Sequence, residues 1–230
     1  MKKYAFIFAG IIVLVFTVFY FRQRNATVQQ KSVYNLQLAR QLDSIYQLDQ
    51  KQRMRIDSFR KVFGAESKEL GQLFRDILKQ DSTSIMMVSN ILDKYGWMGK
   101  DKIGENGNLA LFSIVHHGSL TVKKKYLPLL KEAVKLGNAE ASDCATLEDA
   151  ILVDSGEKQI YGTQLAFDND SNKAFVIPLE DPMNVDKRRH NVGLIPMKQY
   201  VKLSKIDWDA YQYMKDLPQI EILWKRLNKK

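Results

Sequence analysis

The stretch that most constrains this chain is YAFIFAGIIVLVFTVFYF, residues 4–21, which carries no charge and follows Met1-Lys2-Lys3. As a helix its 18 residues span roughly 27 Å, close to the roughly 30 Å hydrocarbon core of a bilayer. Twelve of them are Phe, Ile, Val or Leu, each worth about −0.3 to −0.6 kcal/mol on an insertion scale. The run as a whole then favours insertion by roughly 4 to 7 kcal/mol. A cleaved signal peptide has a shorter apolar core, about 7–15 residues, and a small-residue cleavage site. This run ends instead in Tyr20-Phe21, with Arg22 and Arg24 behind it and no nearby cysteine to take a lipid. The expectation is an uncleaved single-pass anchor in the inner membrane, with the lipid bilayer as its partner. The short basic N-terminus favours an inside position for residues 1–3 and a periplasmic or otherwise extracytoplasmic C-terminal domain.

Residues 1–31 are accordingly assigned to the anchor and a juxtamembrane linker, and residues 32–230 to one domain. The hydrophobic fraction of 45% and charged fraction of 27% are those of a globular protein. Cys144 is the only cysteine, which excludes an intramolecular disulfide and a cysteine-based zinc site. The net charge of +9 is concentrated in Lys123-Lys124-Lys125, Lys187-Arg188-Arg189 and the C-terminal lysines and arginine. Such clusters suit anionic ligands or headgroups, or are simply solvated. No nucleic-acid-binding module accompanies them, so no nucleic acid is expected.

Helical spacing dominates the domain. Leu38, Leu42, Ile45 and Tyr46 share a face that continues through LDQKQRMRIDSFRKVF. Two more helices are predicted over 67–80 and 82–94, the second capped by Ser82. YGWMGKDKIGENGN reads as a glycine-rich loop, followed by helices over 108–117, 120–136 and 142–154, with Gly137 as a stop and Ser142 as a cap. GEKQIYGTQLAF and KAFVIPLED, separated by DNDSN, read as a hairpin near 158–179. Short helical pieces and an aromatic C-terminal helix complete a mainly α fold with one small antiparallel β element.

Two stretches look unlike plain core. FSIVHHGSL sets adjacent histidines among apolar residues. Neighbours on a helix diverge by about 100°, so one histidine at most enters a given pocket, and His117 is the candidate general acid/base. The more frequent role of such a histidine is as a hydrogen-bonded core residue. His116, His117 and the distant His190 lack metal-ligand spacing, so no metal or other cofactor is expected. In QIYGTQLAF, read as a strand, Tyr161 and Thr163 share one face, while Gly162 leaves open space beside Gln164. Tyr161 and Gln164 are candidate orienting groups in catalysis. Arg188 and Arg189 suit bidentate contact with phosphate or carboxylate. They are grouped with Asp186, Gly162 and Trp97 as candidate ligand-binding residues. The alternative for the arginines is a pair of buried salt bridges to Asp49, Glu148 or Asp186. Nucleophile elbows, phosphate loops, dinucleotide-binding fingerprints and H-E-x-x-H motifs are all absent from the sequence.

YGWMG, an apolar helix ending in HH, KKYLPLL, LEDAILVDSGEKQIYGTQ and PLEDPMNVDKRRHNVGLIPMKQY occur in that order. This series resembles an uncharacterised bacterial domain-of-unknown-function family with Tyr-Gly-Thr-Gln and Val-Asp-x-Arg-Arg signatures, over roughly residues 45–203. LDQKQR resembles its Asp-Gln-x-x-Arg element. Where that family has Gln-His-Ala-Asp, this chain has His116-His117-Gly118-Ser119, so His117 is the matching histidine and no acid stands at 119. The resemblance implies a mostly helical fold and no established activity. Two functions remain open from sequence. One is an acid/base or binding pocket for an anionic or polar ligand; the other is a non-catalytic envelope module whose polar motifs are structural.

Overall fold

Asn35 starts the first helix by accepting a hydrogen bond from the Leu38 amide at 3.0 Å, satisfying one of the donors every helix start leaves free. The computed structural model describes residues 33–171 and 173–228. Residues 4–21, read as a membrane anchor, lie outside these. Among the described residues no helix is long and apolar enough to cross a membrane. Asn35–Lys230 form one compact unit, mainly helical with one two-stranded antiparallel sheet.

Helix α1 (Leu36–Arg53) packs chiefly on α4 (Lys100–His117) and also on α3 (Lys68–Tyr95). Helices α5 (Leu120–Lys135) and α6 (Ala141–Asp154) pair with each other and close the main core. Leu42, Leu92, Leu111, Ile114, Leu130 and Leu147 fill that core. The short α2 (Ile56–Phe63) packs the half-buried Ile56 and Phe59 against Leu70, Leu73 and Ile77 of α3.

Several boundaries differ from the sequence reading, each for a local reason. The first predicted helix breaks at Met54-Arg55, which turns the chain into α2. The two helices predicted over 67–94 are one continuous α3. The Ser82 and Thr83 hydroxyls bond back to the carbonyls of Leu78 and Lys79, so Ser82 does not cap a new helix. Most of the predicted glycine-rich loop is helical. Only Gly96–Gly99 stays outside, and α4 kinks at Gly104, whose φ of 75° lies in the left-handed region. Ser142 lies inside α6, where its carbonyl accepts from Thr146 instead of capping.

Strands β1 (Leu165–Asp168) and β2 (Lys173–Val176) pair from Leu165–Val176 to Asp168–Lys173. They are shorter than predicted, because residues 160–164 fold as a bend before β1. A 3-10 turn (Pro182–Asn184), α7 (Val185–Asn191), α8 (Met197–Lys202) and α9 (Ala210–Leu227) follow. They build a second core around Leu179, Val185, Met197, Val201 and Tyr213.

Candidate functional site

Three core stripes each contain one ionisable residue. On α1 the buried positions run Leu38, Leu42, Ile45, Asp49; on α3 they run Leu73, Ile77, Asp81, Ser84, Val88. On α4 the sequence Ile103, Gly107, Ala110, Ile114 reaches His117 at the next helical step. The packing of these helices brings the three polar positions together. The Asp49 side chain is 1% exposed, yet it is surrounded by donors. His117 Nδ1 lies 2.9 Å from its Oδ1, Arg53 Nε donates to the same oxygen at 3.0 Å, and Gln50 Nε2 donates to Oδ2 at 2.9 Å. Arg53 Nη2 also donates to Asp81 Oδ1 at 2.6 Å, so its guanidinium bridges both carboxylates. Oxygens of Asp49 and Asp81 and a ring nitrogen of His117 all lie within 4.8 Å of one another.

The carboxylate beside the histidine orients its ring. Burial pushes the Asp49 carboxyl up, but the hydrogen bond and charge of His117, followed by those of Arg53, outweigh it and hold the carboxyl below its ordinary value. An ionised carboxylate can only accept, so Nδ1 of His117 donates and carries the hydrogen. Nε2 is the ring's other nitrogen, an acceptor whenever the imidazole is neutral, on a ring that stays 21% exposed. A buried carboxylate that fixes an imidazole's tautomer and orientation is the supporting half of a general-base site. His116 takes the opposite role. Its ring packs beside Phe112 and His117. Burial first, then the charges of His117, Lys123 and Arg53, drive it down to about 3. It is a neutral packing residue whose buried Nε2 has no partner. Ser119, at the position of the missing acid, caps α5 by accepting from the Val122 amide.

The Tyr-Gly-Thr-Gln stretch belongs to a separate network around Asp149, which is fully buried. The Asp149 carboxylate accepts from the amides of Ile160, Tyr161 and Thr163 at 2.7–3.2 Å and from the Thr163 hydroxyl at 2.9 Å. Burial nevertheless pushes it above its ordinary value, against those bonds. Gly162 has φ +69°, and a Cβ there would stand 2.8 Å from Met197 Cε and 2.9 Å from its Sδ. The open space expected beside Gly162 is thus filled by Met197. Gln164 Nε2 donates to the Thr163 hydroxyl at 3.0 Å, while its backbone is clamped by the buried Gln159.

The arginine pair is similarly committed. Arg188 donates to the carbonyls of Ile160, Glu180 and Asp181 and pairs with the Asp181 carboxylate. Arg189, fully buried, donates to the carbonyls of Ile195 and Tyr161 at 2.7 Å and lies over the Tyr200 ring. Its Nη2 is buried without a partner. Asp186 accepts from the Met197 amide at 2.7 Å at the start of α8. Neither arginine pairs with Asp49, Glu148 or Asp186, the carboxylates expected from sequence; most of their bonds go to backbone carbonyls. Trp97 is 5% exposed in the main core, with an unpartnered indole nitrogen.

Of the sequence candidates, then, Tyr161, Gly162, Gln164, Arg188, Arg189 and Asp186 share one neighbourhood. Among the described residues no hydrogen bond or ion pair joins them to His117. The partners of His117 are Asp49 and, through it, Arg53 and Asp81; the sequence offers Asp49 and Arg53 only within the LDQKQR element and Asp49 as a carboxylate for the arginines, and does not single out Asp81. Their signal was present as charged residues at core positions of a helical period. Two grooves border α9, one lined by Lys158, Pro178, Glu221 and Trp224, the other by Phe175, Trp208 and Tyr213. Neither contains His117 or its partners.

A helical domain with a buried carboxylate–imidazole–guanidinium cluster is the class that fold and site define. The chain belongs to a family of unknown function (DUF6624), whose model matches residues 38–214. No curated protein matches it, and no solved structure does.

Proposed function

We propose that this is a membrane-anchored, extracytoplasmic bacterial domain in which His117 acts as general acid/base on a small polar or anionic ligand. The observation that carries the reading is the Asp49 carboxylate, buried in an apolar core and accepting from His117, Arg53 and Gln50. A buried charge is costly unless it is paired, and this one sets the tautomer that leaves His117 Nε2 open. The anchor is argued from residues 4–21, whose uncharged run and basic flanks suit a single-pass span with the domain outside.

Full-length protein in detergent, treated with diethylpyrocarbonate and mapped by mass spectrometry, tests the site. His117 is expected to be carbethoxylated at Nε2 and His116 spared, with His117 protected by the ligand class that the site takes. An unreactive His117 would mean that the ring is closed to substrate, and the acid/base role would go. Membrane fractionation, with protease added outside the inner membrane, tests the anchor separately.

The second reading is a non-catalytic envelope module. It is favoured at the Tyr-Gly-Thr-Gln region, where Arg188 and Arg189 have most of their donors on carbonyls. An anionic ligand there would have to displace those bonds.

A further inference from the structure

We propose that Asp49, Asp81 and His117 form a binding site for a first-row divalent cation, and that Arg53 occupies this site when the cation is absent. One ligand comes from each of α1, α3 and α4, and the donor atoms all lie within 4.8 Å of one another. Donors around a single ion at about 2.0–2.2 Å stand roughly 3 to 4.4 Å apart, depending on angle. The 2.9 Å between His117 Nδ1 and Asp49 Oδ1 matches one edge of such a polyhedron. One imidazole nitrogen with two carboxylate oxygens is a donor set for Zn²⁺ or Mn²⁺ rather than for an all-oxygen Ca²⁺ site. The charges point the same way, since two largely buried carboxylates face one guanidinium.

Arg53 holds the place of that cation, 3.0 Å from an Asp49 oxygen and 2.6 Å from an Asp81 oxygen. It is also the last residue of α1, and its side chain is 26% exposed. Swinging it into solvent therefore breaks no helical turn. Metal binding at Nδ1 replaces the hydrogen that the ring gives to Asp49, and a neutral bound imidazole carries its hydrogen on Nε2. The two ideas share residues but fail separately, because the acid/base reading does not require Asp81.

The test uses chelator-treated full-length protein in detergent, titrated calorimetrically with Zn²⁺ alone and Mn²⁺ alone. One-to-one binding is expected, weakened by at least about 10- to 100-fold in Asp81→Asn and tightened in Arg53→Met. Zn²⁺ should also protect His117 from carbethoxylation. No saturable binding to wild type or to Arg53→Met, or binding indifferent to Asp81→Asn, overturns the proposal. Should Arg53→Met fail to fold, paramagnetic broadening by Mn²⁺ in the wild type decides. The His117 ring signals must broaden before those of the exposed His190, and equal broadening overturns the site.

Discussion

Asp49 and His117 are 68 residues apart in the chain and 2.9 Å apart in the fold, joined through Nδ1 and Oδ1. Asp49 is the first polar residue on the buried stripe of α1, and His117 is the last residue of α4. Their contact therefore depends on the register of the α1–α4 packing. Any ligand chemistry at His117 is tied to that packing through Asp49.

Replacing Asp49 by Ala should be costly. It removes three hydrogen bonds and leaves Arg53 and His117 without their shared acceptor. Both partners retain some solvent, so the loss should be about 2–3 kcal/mol, below that of a fully buried pair. A shift of the urea midpoint at unchanged slope would measure it. A variant as stable as wild type would show that the cluster contributes nothing to folding.

Gly162→Ala tests the Tyr-Gly-Thr-Gln bend. A left-handed φ costs an L-residue roughly 1–2 kcal/mol, and the added Cβ would also meet Met197 at 2.8 Å. The thermal midpoint should fall by several degrees, at about 2–4 °C per kcal/mol for a domain of this size. If the loss were no larger than the φ cost alone, the Met197 side chain would have moved aside.

Arg189→Ala should destabilise more than Arg188→Ala. Arg189 is fully buried, and its removal leaves a cavity and takes the donors from the carbonyls of Ile195 and Tyr161. A loss above about 3 kcal/mol is expected. Arg188 is partly exposed, and water can replace part of its contacts. Phosphate should shift neither midpoint if both arginines are structural, so a phosphate-dependent shift in wild type that disappears in Arg188→Ala would restore a ligand role.

Much of this architecture was legible because apolar spacing alone marks helices. The stripe of Leu38, Leu42 and Ile45 predicts α1, and the β-branched and aromatic residues flanking DNDSN predict the hairpin. What the spacing hid was the meaning of exceptions. Asp49 and Asp81 sit in phase with their stripes, and a charged residue in phase reads as a helix losing its apolar face. Only the packing of α1, α3 and α4 shows that the two exceptions meet His117. Tyr161–Gln164 misled for the converse reason. Alternating residue types suggest a strand, but Asp149, eleven or more residues earlier, gathers the amides of Ile160, Tyr161 and Thr163 and bends the backbone. The positive φ at Gly162 is the local mark of that bend.

The last expectation concerns acid. Burial holds the folded-state value of His116 down to about 3, against about 6.5 in an unfolded chain. Between those values the unfolded state binds a proton that the folded state refuses, so stability must fall as pH is lowered through this window. The slope is up to about 1.4 kcal/mol per pH unit, and below about pH 3 this contribution levels off because both states are protonated. Asp49 acts in the same direction at the acid end. Its folded-state value is depressed, so its contribution is present above the ordinary carboxylate range and lost as pH falls through the lower folded value. Urea unfolding at several pH values from about 7 down to about 2 separates the two groups. His116→Phe, which keeps the contact with Phe112 and removes the unpartnered Nε2, should flatten the slope above pH 4. It should leave the Asp49 contribution below that point in place. A wild-type stability that is level from pH 6.5 to 4 would mean that His116 takes up its proton in the folded state.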